Sequence, residues 1–142
     1  MKDTISIQQI IGDLVHIHEK RINRYKQILH EYADMELDMK SIFERIIDAD
    51  MTYVQQLKDK AHPNISARGE VYTSWKKMKT PTVNGDRKEV LETCANDELI
   101  VINTYSVALS MLADHDIVKL LEEQQRGLKK LYAHICQFRD AQ

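Results

Sequence analysis

Breakers are scarce in this sequence: two prolines and four glycines among 142 residues. A chain so poor in them, and rich in Leu, Ile, Glu, Lys and Gln, is set for long helices rather than strands. Only two cysteines occur, Cys94 and Cys136, both inside helical patterns and without metal-ligand spacing. That usage excludes a disulfide scaffold or a zinc ribbon and fits free thiols in a reducing compartment. No run of about 18 apolar residues is present, so a membrane-spanning helix is not expected. The start of the chain lacks the basic-then-apolar order of an export signal, which points to a cytoplasmic address. An excess of positive charge is missing too. The net charge of −2 and the lack of a basic stripe argue against nucleic acid as a partner.

Hydrophobic residues supply 43% of the chain and charged residues 30%. At this length one domain buries roughly 70% of the unfolded surface, enough for a core without staples. The expectation is a single domain over 1–142, all-α, a four-helix bundle with a ferritin-like connection.

Ser6 and Gln9 form a capping-box pattern, with Ile5 and Ile10 at staple positions, so helix one is expected over 6–33. Its stripe runs Ile7, Ile11, Leu14, His18, Arg21, Tyr25, Ile28 and Tyr32, in the alternating steps of three and four that mark one helix face. Helix two is expected over 35–61, with Asp34 as N-cap and Met39, Ile42, Phe43, Ile46, Ala49, Tyr53, Val54 and Leu57 on its stripe. It should stop before His62-Pro63, because the residue ahead of a proline is pushed out of helical geometry.

The stretch 63–85 holds both prolines and half of the glycines. It is too long for a tight turn between helices, where about 2–8 residues are usual. A crossover running the height of the bundle suits it, with Val71, Tyr72, Trp75 and Met78 forming two turns of helix. Asp86 with Glu89 then repeats a capping pattern, and helix three is expected over 86–112. A turn at Asp114-His115-Asp116 leads to helix four over 115–139, whose stripe includes Leu121, Gln124, Leu128, Leu131 and Ile135. Leu14, His18 and Tyr25 share their spacing with Cys94, Glu98 and Tyr105, an internal echo consistent with two related hairpins.

Polar residues on the apolar stripes are the anomaly: His18, Asp50, Glu98 and Gln124. A buried lone carboxylate is costly, so it must be paired, hydrogen-bonded, protonated or metal-bound. Ferritin-like bundles build di-iron or di-manganese centres at that depth from two glutamates and two Glu-x-x-His pairs. No glutamate here has a histidine three residues later. His18, Asp50 and Glu98 would suffice for a single iron or manganese ion and form a thin shell for two. The competing reading is a hydrogen-bonded polar layer with Arg21 as counter-charge and tyrosines as donors. His16 and His18 point about 200° apart on a helix and cannot share an ion. No nucleophile–base pair, glycine-rich phosphate loop or Gly-x-Ser-x-Gly elbow is readable.

Leu91-Glu92-Thr93-Cys94, Asp97-Glu98 and Tyr105 resemble the third-helix signature of an uncharacterised bacterial family of ferritin-like four-helix-bundle proteins. There the stretch reads Glu-Cys-Glu-Arg-Gly-Glu-Asp before a spaced tyrosine. The similarity extends to Gly69 and Trp75 ahead of Lys79, to Gln124 and Arg139-Asp140, and to Ile22 and Tyr25. This chain departs from the family at Glu19-Lys20-Arg21, where Asn-Asp-Gly is common, and at Tyr132, where histidine is common. The resemblance implies a ferritin-like fold in a bacterial, cytoplasmic setting, with a stress response as the analogous role. The leading expectation is a non-catalytic protein acting through its surface, with a homodimer as one arrangement. The rivals are an iron- or manganese-binding protein or oxidoreductase, and a helical adaptor whose unknown protein partner reads the Trp75 crossover.

Overall fold

The computed structural model describes residues 2–31, 35–61, 69–78, 86–112 and 116–141. Among these residues every regular element is a helix: α1 Lys2–Glu31, α2 Leu37–Lys58, α3 Glu70–Met78, α4 Arg87–Ser110 and α5 Asp116–Asp140. The chain divides into two units, Met1–Thr73 and Ser74–Gln142.

In the first unit α1 packs along α2. Gln8 donates to the Lys60 carbonyl at 3.0 Å, His18 meets Asp50, and the Tyr25 and Phe43 rings lie 5.7 Å apart. Contacts advance along α2 as they recede along α1, so the pair is an antiparallel hairpin. Its core follows the stripes read from the sequence: Ile11, Leu14 and Tyr25 on α1, joined by Ile17, and Ile42, Phe43, Ile46 and Leu57 on α2, all buried.

In the second unit α4 packs along α5 after a short connection, as an αα-hairpin requires. Leu121, Leu128 and Ile135 are fully buried on α5, matching its single stripe. α4 is different. Its buried positions include Ala95, Ile100 and Ile102 besides Leu91, Cys94, Val101 and Tyr105, an arc wider than half the helix circumference.

Helix ends follow local chemistry, with some corrections. α1 begins at Lys2, not Ser6. Lys2 to Ile5 contain no breaker, so the Ser6–Gln9 pattern lies inside the helix and does not start it. The Asp34 cap, His62-Pro63 and the Asp114-His115 turn lie outside the described residues. At α2 the N-cap position belongs to Glu36, which makes no side-chain capping bond. α2 ends at Lys58, three residues before the expected Ala61, with Asp59 still in right-handed helical backbone geometry. Lys60 and Ala61 there donate to the Leu57 and Lys58 carbonyls at 3.0 and 3.1 Å, the tighter closure that commonly ends helices.

Asp86 caps α4 as its spacing to Glu89 foretells, accepting from the Glu89 amide at 3.0 Å. Replacing Asp86 with alanine is expected to lower stability by about 1 kcal/mol, read as a shift of the urea midpoint at constant slope.

Candidate functional site

The first polar cluster lies inside the α1–α2 hairpin. His18 and Arg21 are three residues apart on α1, a spacing that sets both on one face. Across from them α2 presents Asp50, which has no exposed surface. The Arg21 guanidinium grips both carboxylate oxygens, Nε to Oδ2 at 3.2 Å and Nη2 to Oδ1 at 3.4 Å. His18 Nδ1 stands 3.0 Å from Oδ1. A carboxylate held by a guanidinium is an acceptor, so the imidazole donates from Nδ1. Aromatic rings flank the cluster: Tyr53 beside His18 at 5.6 Å, and Tyr25 under Arg21 at 5.7 Å. His16 is exposed on the opposite side of α1.

A second cluster in this unit has no counterpart in the sequence reading. Asp13, fully buried on α1, accepts from the Gln9 side chain at 2.9 Å and from two backbone amides, Gly69 at 3.1 Å and Tyr72 at 3.2 Å. Those amides open α3, so a residue of α1 serves as its N-cap. Gly69 is required for the approach. A Cβ at that position would sit 2.5 Å from Asp13 Oδ2 and 2.7 Å from Gln9 Cγ.

In the second unit Tyr105 donates its hydroxyl to Gln124 Oε1 at 2.7 Å, a buried pair bridging α4 and α5. Its neighbour Gln125 donates to the Ile102 carbonyl at 3.0 Å and to Ser106 Oγ at 2.9 Å. Glu98 is completely buried and shares the Tyr105 face of α4 about two turns earlier. Of the three candidate ligands, then, His18 and Asp50 meet within one hairpin, and Glu98 belongs to the other unit. Among the described residues no three His, Cys, Asp or Glu side chains gather to hold a metal ion.

Other residues singled out by sequence fall into place. Trp75 is only 5% exposed, while Lys76 and Lys77 beside it are exposed. Cys94 is buried and Cys136 half-buried, both as free thiols. Tyr132 hydrogen-bonds Cys136 one turn later, and that bond raises the phenol above its ordinary pKa. Among the described residues no helix is long and apolar enough to cross a membrane.

What the arrangement does chemically follows from Asp50. Its two oxygens are engaged by a guanidinium and an imidazole, so a divalent cation would have to displace a positive charge to reach them. No family model matches the chain, and no curated protein or solved structure matches it significantly.

Proposed function

We propose that the chain is a non-catalytic, ferritin-like four-helix-bundle protein of the bacterial family it resembles, with its polar interior holding the fold. The observation that carries this reading is the Arg21–Asp50–His18 arrangement. A buried acid satisfied by internal donors favours one packing, and its own oxygens are taken up by those donors. The two antiparallel hairpins and the matched spacing of Leu14, His18 and Tyr25 with Cys94, Glu98 and Tyr105 support a bundle with segment 63–85 as its crossover. Activity then resides at the surface, in a cytoplasmic, stress-linked setting with a second copy as one partner.

One feature favours a second reading. Asp50 holds Nδ1 of His18, the way an outer carboxylate orients a metal-binding imidazole. An iron- or manganese-binding protein would exploit it with His18 as a ligand and Asp50 behind the ring; Glu98 is the remaining candidate ligand. Elemental analysis of the untagged protein for Fe, Mn and Zn separates the two. The expected result is metal far below one equivalent, unchanged in Glu98→Ala. Stoichiometric metal that Glu98→Ala abolishes would overturn the non-catalytic reading.

A further inference from the structure

Asp13 does more than cap a helix. We propose that α3 is a latch, folded only while docked and locked to α1 by the Asp13 carboxylate, which opens as a local unit before either hairpin unfolds.

The case begins with length. α3 has nine residues, fewer than the roughly 12–15 that make an isolated helix even marginal in water. Its stability must come from docking. Its inner side is Val71, without exposed surface, and Trp75, while Glu70, Thr73, Lys76 and Lys77 face outward. Its first turn is tied by Asp13 through Gly69 and Tyr72, and Lys20 lies 5.9 Å over the Tyr72 ring.

Capping and docking are therefore one interaction. A helix capped by its own sequence keeps its cap when it moves away; α3 cannot. The dependence runs both ways. Asp13 has three donors, and two of them leave with α3, so its carboxylate must be rehydrated when the helix departs. Such mutual dependence makes opening all-or-none rather than a gradual fraying. The contact with Gly69, where any side chain would strike Asp13, sharpens the fit. The α1–α2 and α4–α5 hairpins are each built from helices of 22 to 30 residues, and their stripes do not include α3. The opened state turns Val71 and Trp75 to solvent.

Hydrogen exchange on the full chain tests this, read at the amides of Trp75 to Met78, none of which touches Asp13. In the native protein these amides should exchange faster than those at the centres of α1, α2, α4 and α5. In Asp13→Ala they should speed up together by about 5- to 30-fold, the factor that a lost cap of 1–2 kcal/mol produces. Gly69→Ala, with Asp13 in place, should do the same, and acrylamide should quench Trp75 more readily in both. Because Trp75 is the only tryptophan, that signal reports α3 alone. If Asp13→Ala does not fold, Asp13→Asn replaces it, with a smaller acceleration in the same amides. The proposal is overturned if exchange at Trp75 to Met78 is unchanged in the variants that fold. It is equally overturned if α4 and α5 accelerate by the same factor, because α3 would then open only with the whole protein.

Discussion

Replacing Asp50 with alanine is expected to destabilise the protein by about 3–5 kcal/mol, a large share of the total for a chain this size. The residue lies at 0% exposure and Arg21 at 3%, so the substitution takes from a buried guanidinium the carboxylate it grips. His18 loses the acceptor of its Nδ1 proton in the same step. The cost arises from what remains, because removing one partner of a buried ion pair takes that compensation from the other charge where water is excluded. Arg21→Met should therefore be costly for the mirrored reason. The double variant Asp50→Leu with Arg21→Met should cost much less than the two singles added together, since it removes both charges and keeps apolar volume. Urea unfolding of the four proteins, with slopes compared before midpoints, measures the difference. A loss below about 1 kcal/mol for Asp50→Ala would match an exposed ion pair instead, and the structural role assigned to this cluster would go with it.

How far the sequence exposes such features depends on where their partners lie. The stripes of α1, α2 and α5 are legible because burial recurs every three or four residues. His18, Asp50, Glu98 and Gln124 stand out as polar interruptions of those stripes, and all four are buried. The Asp86 cap is legible because donor and acceptor are three residues apart. Helix ends were harder. The Ser6–Gln9 pattern is too common to mark a start when nothing before it breaks a helix, and α2 closes by backbone bonds that no side chain announces.

Asp13 was not legible. It stands beside Gly12 within α1, and its partners are backbone amides 56 and 59 residues away. Every residue type has an amide, so no side-chain pattern points to them. Only Gly69 carried a signal, and alone it reads as loop punctuation. Gln125 was missed for a related reason: its acceptor is a helix carbonyl, and beside Gln124 it reads as surface. α4 offers no single stripe, because burial spread over more than half of a helix circumference has no single phase to follow. The pairing of Arg21 with Asp50 was open to sequence reasoning, because a buried acid demands a nearby cation and Arg21 lies one turn from His18.

Tyr105→Phe is expected to cost about 1–3 kcal/mol, although it removes only one oxygen from the core. The phenol donates to Gln124 at 2.7 Å, both residues being at most 1% exposed. Without it, the Gln124 carbonyl loses a strong donor where water cannot replace it. Gln124→Leu should fall in the same range, because the hydroxyl then faces a methyl group. The informative species is again the double variant. Tyr105→Phe with Gln124→Leu removes both polar partners and should recover about 0.5–3 kcal/mol relative to additivity. Recovery of that size would make α4 and α5 a hairpin registered by a specific polar pair, as α1 and α2 are by Arg21 and Asp50. Slipping either helix by one turn would bury the same groups against apolar neighbours, so each pair penalises misregistered packings that hydrophobic stripes alone would tolerate. Strict additivity would mean that the phenol and the amide are satisfied independently. The register of the second hairpin would then rest on side-chain shape alone.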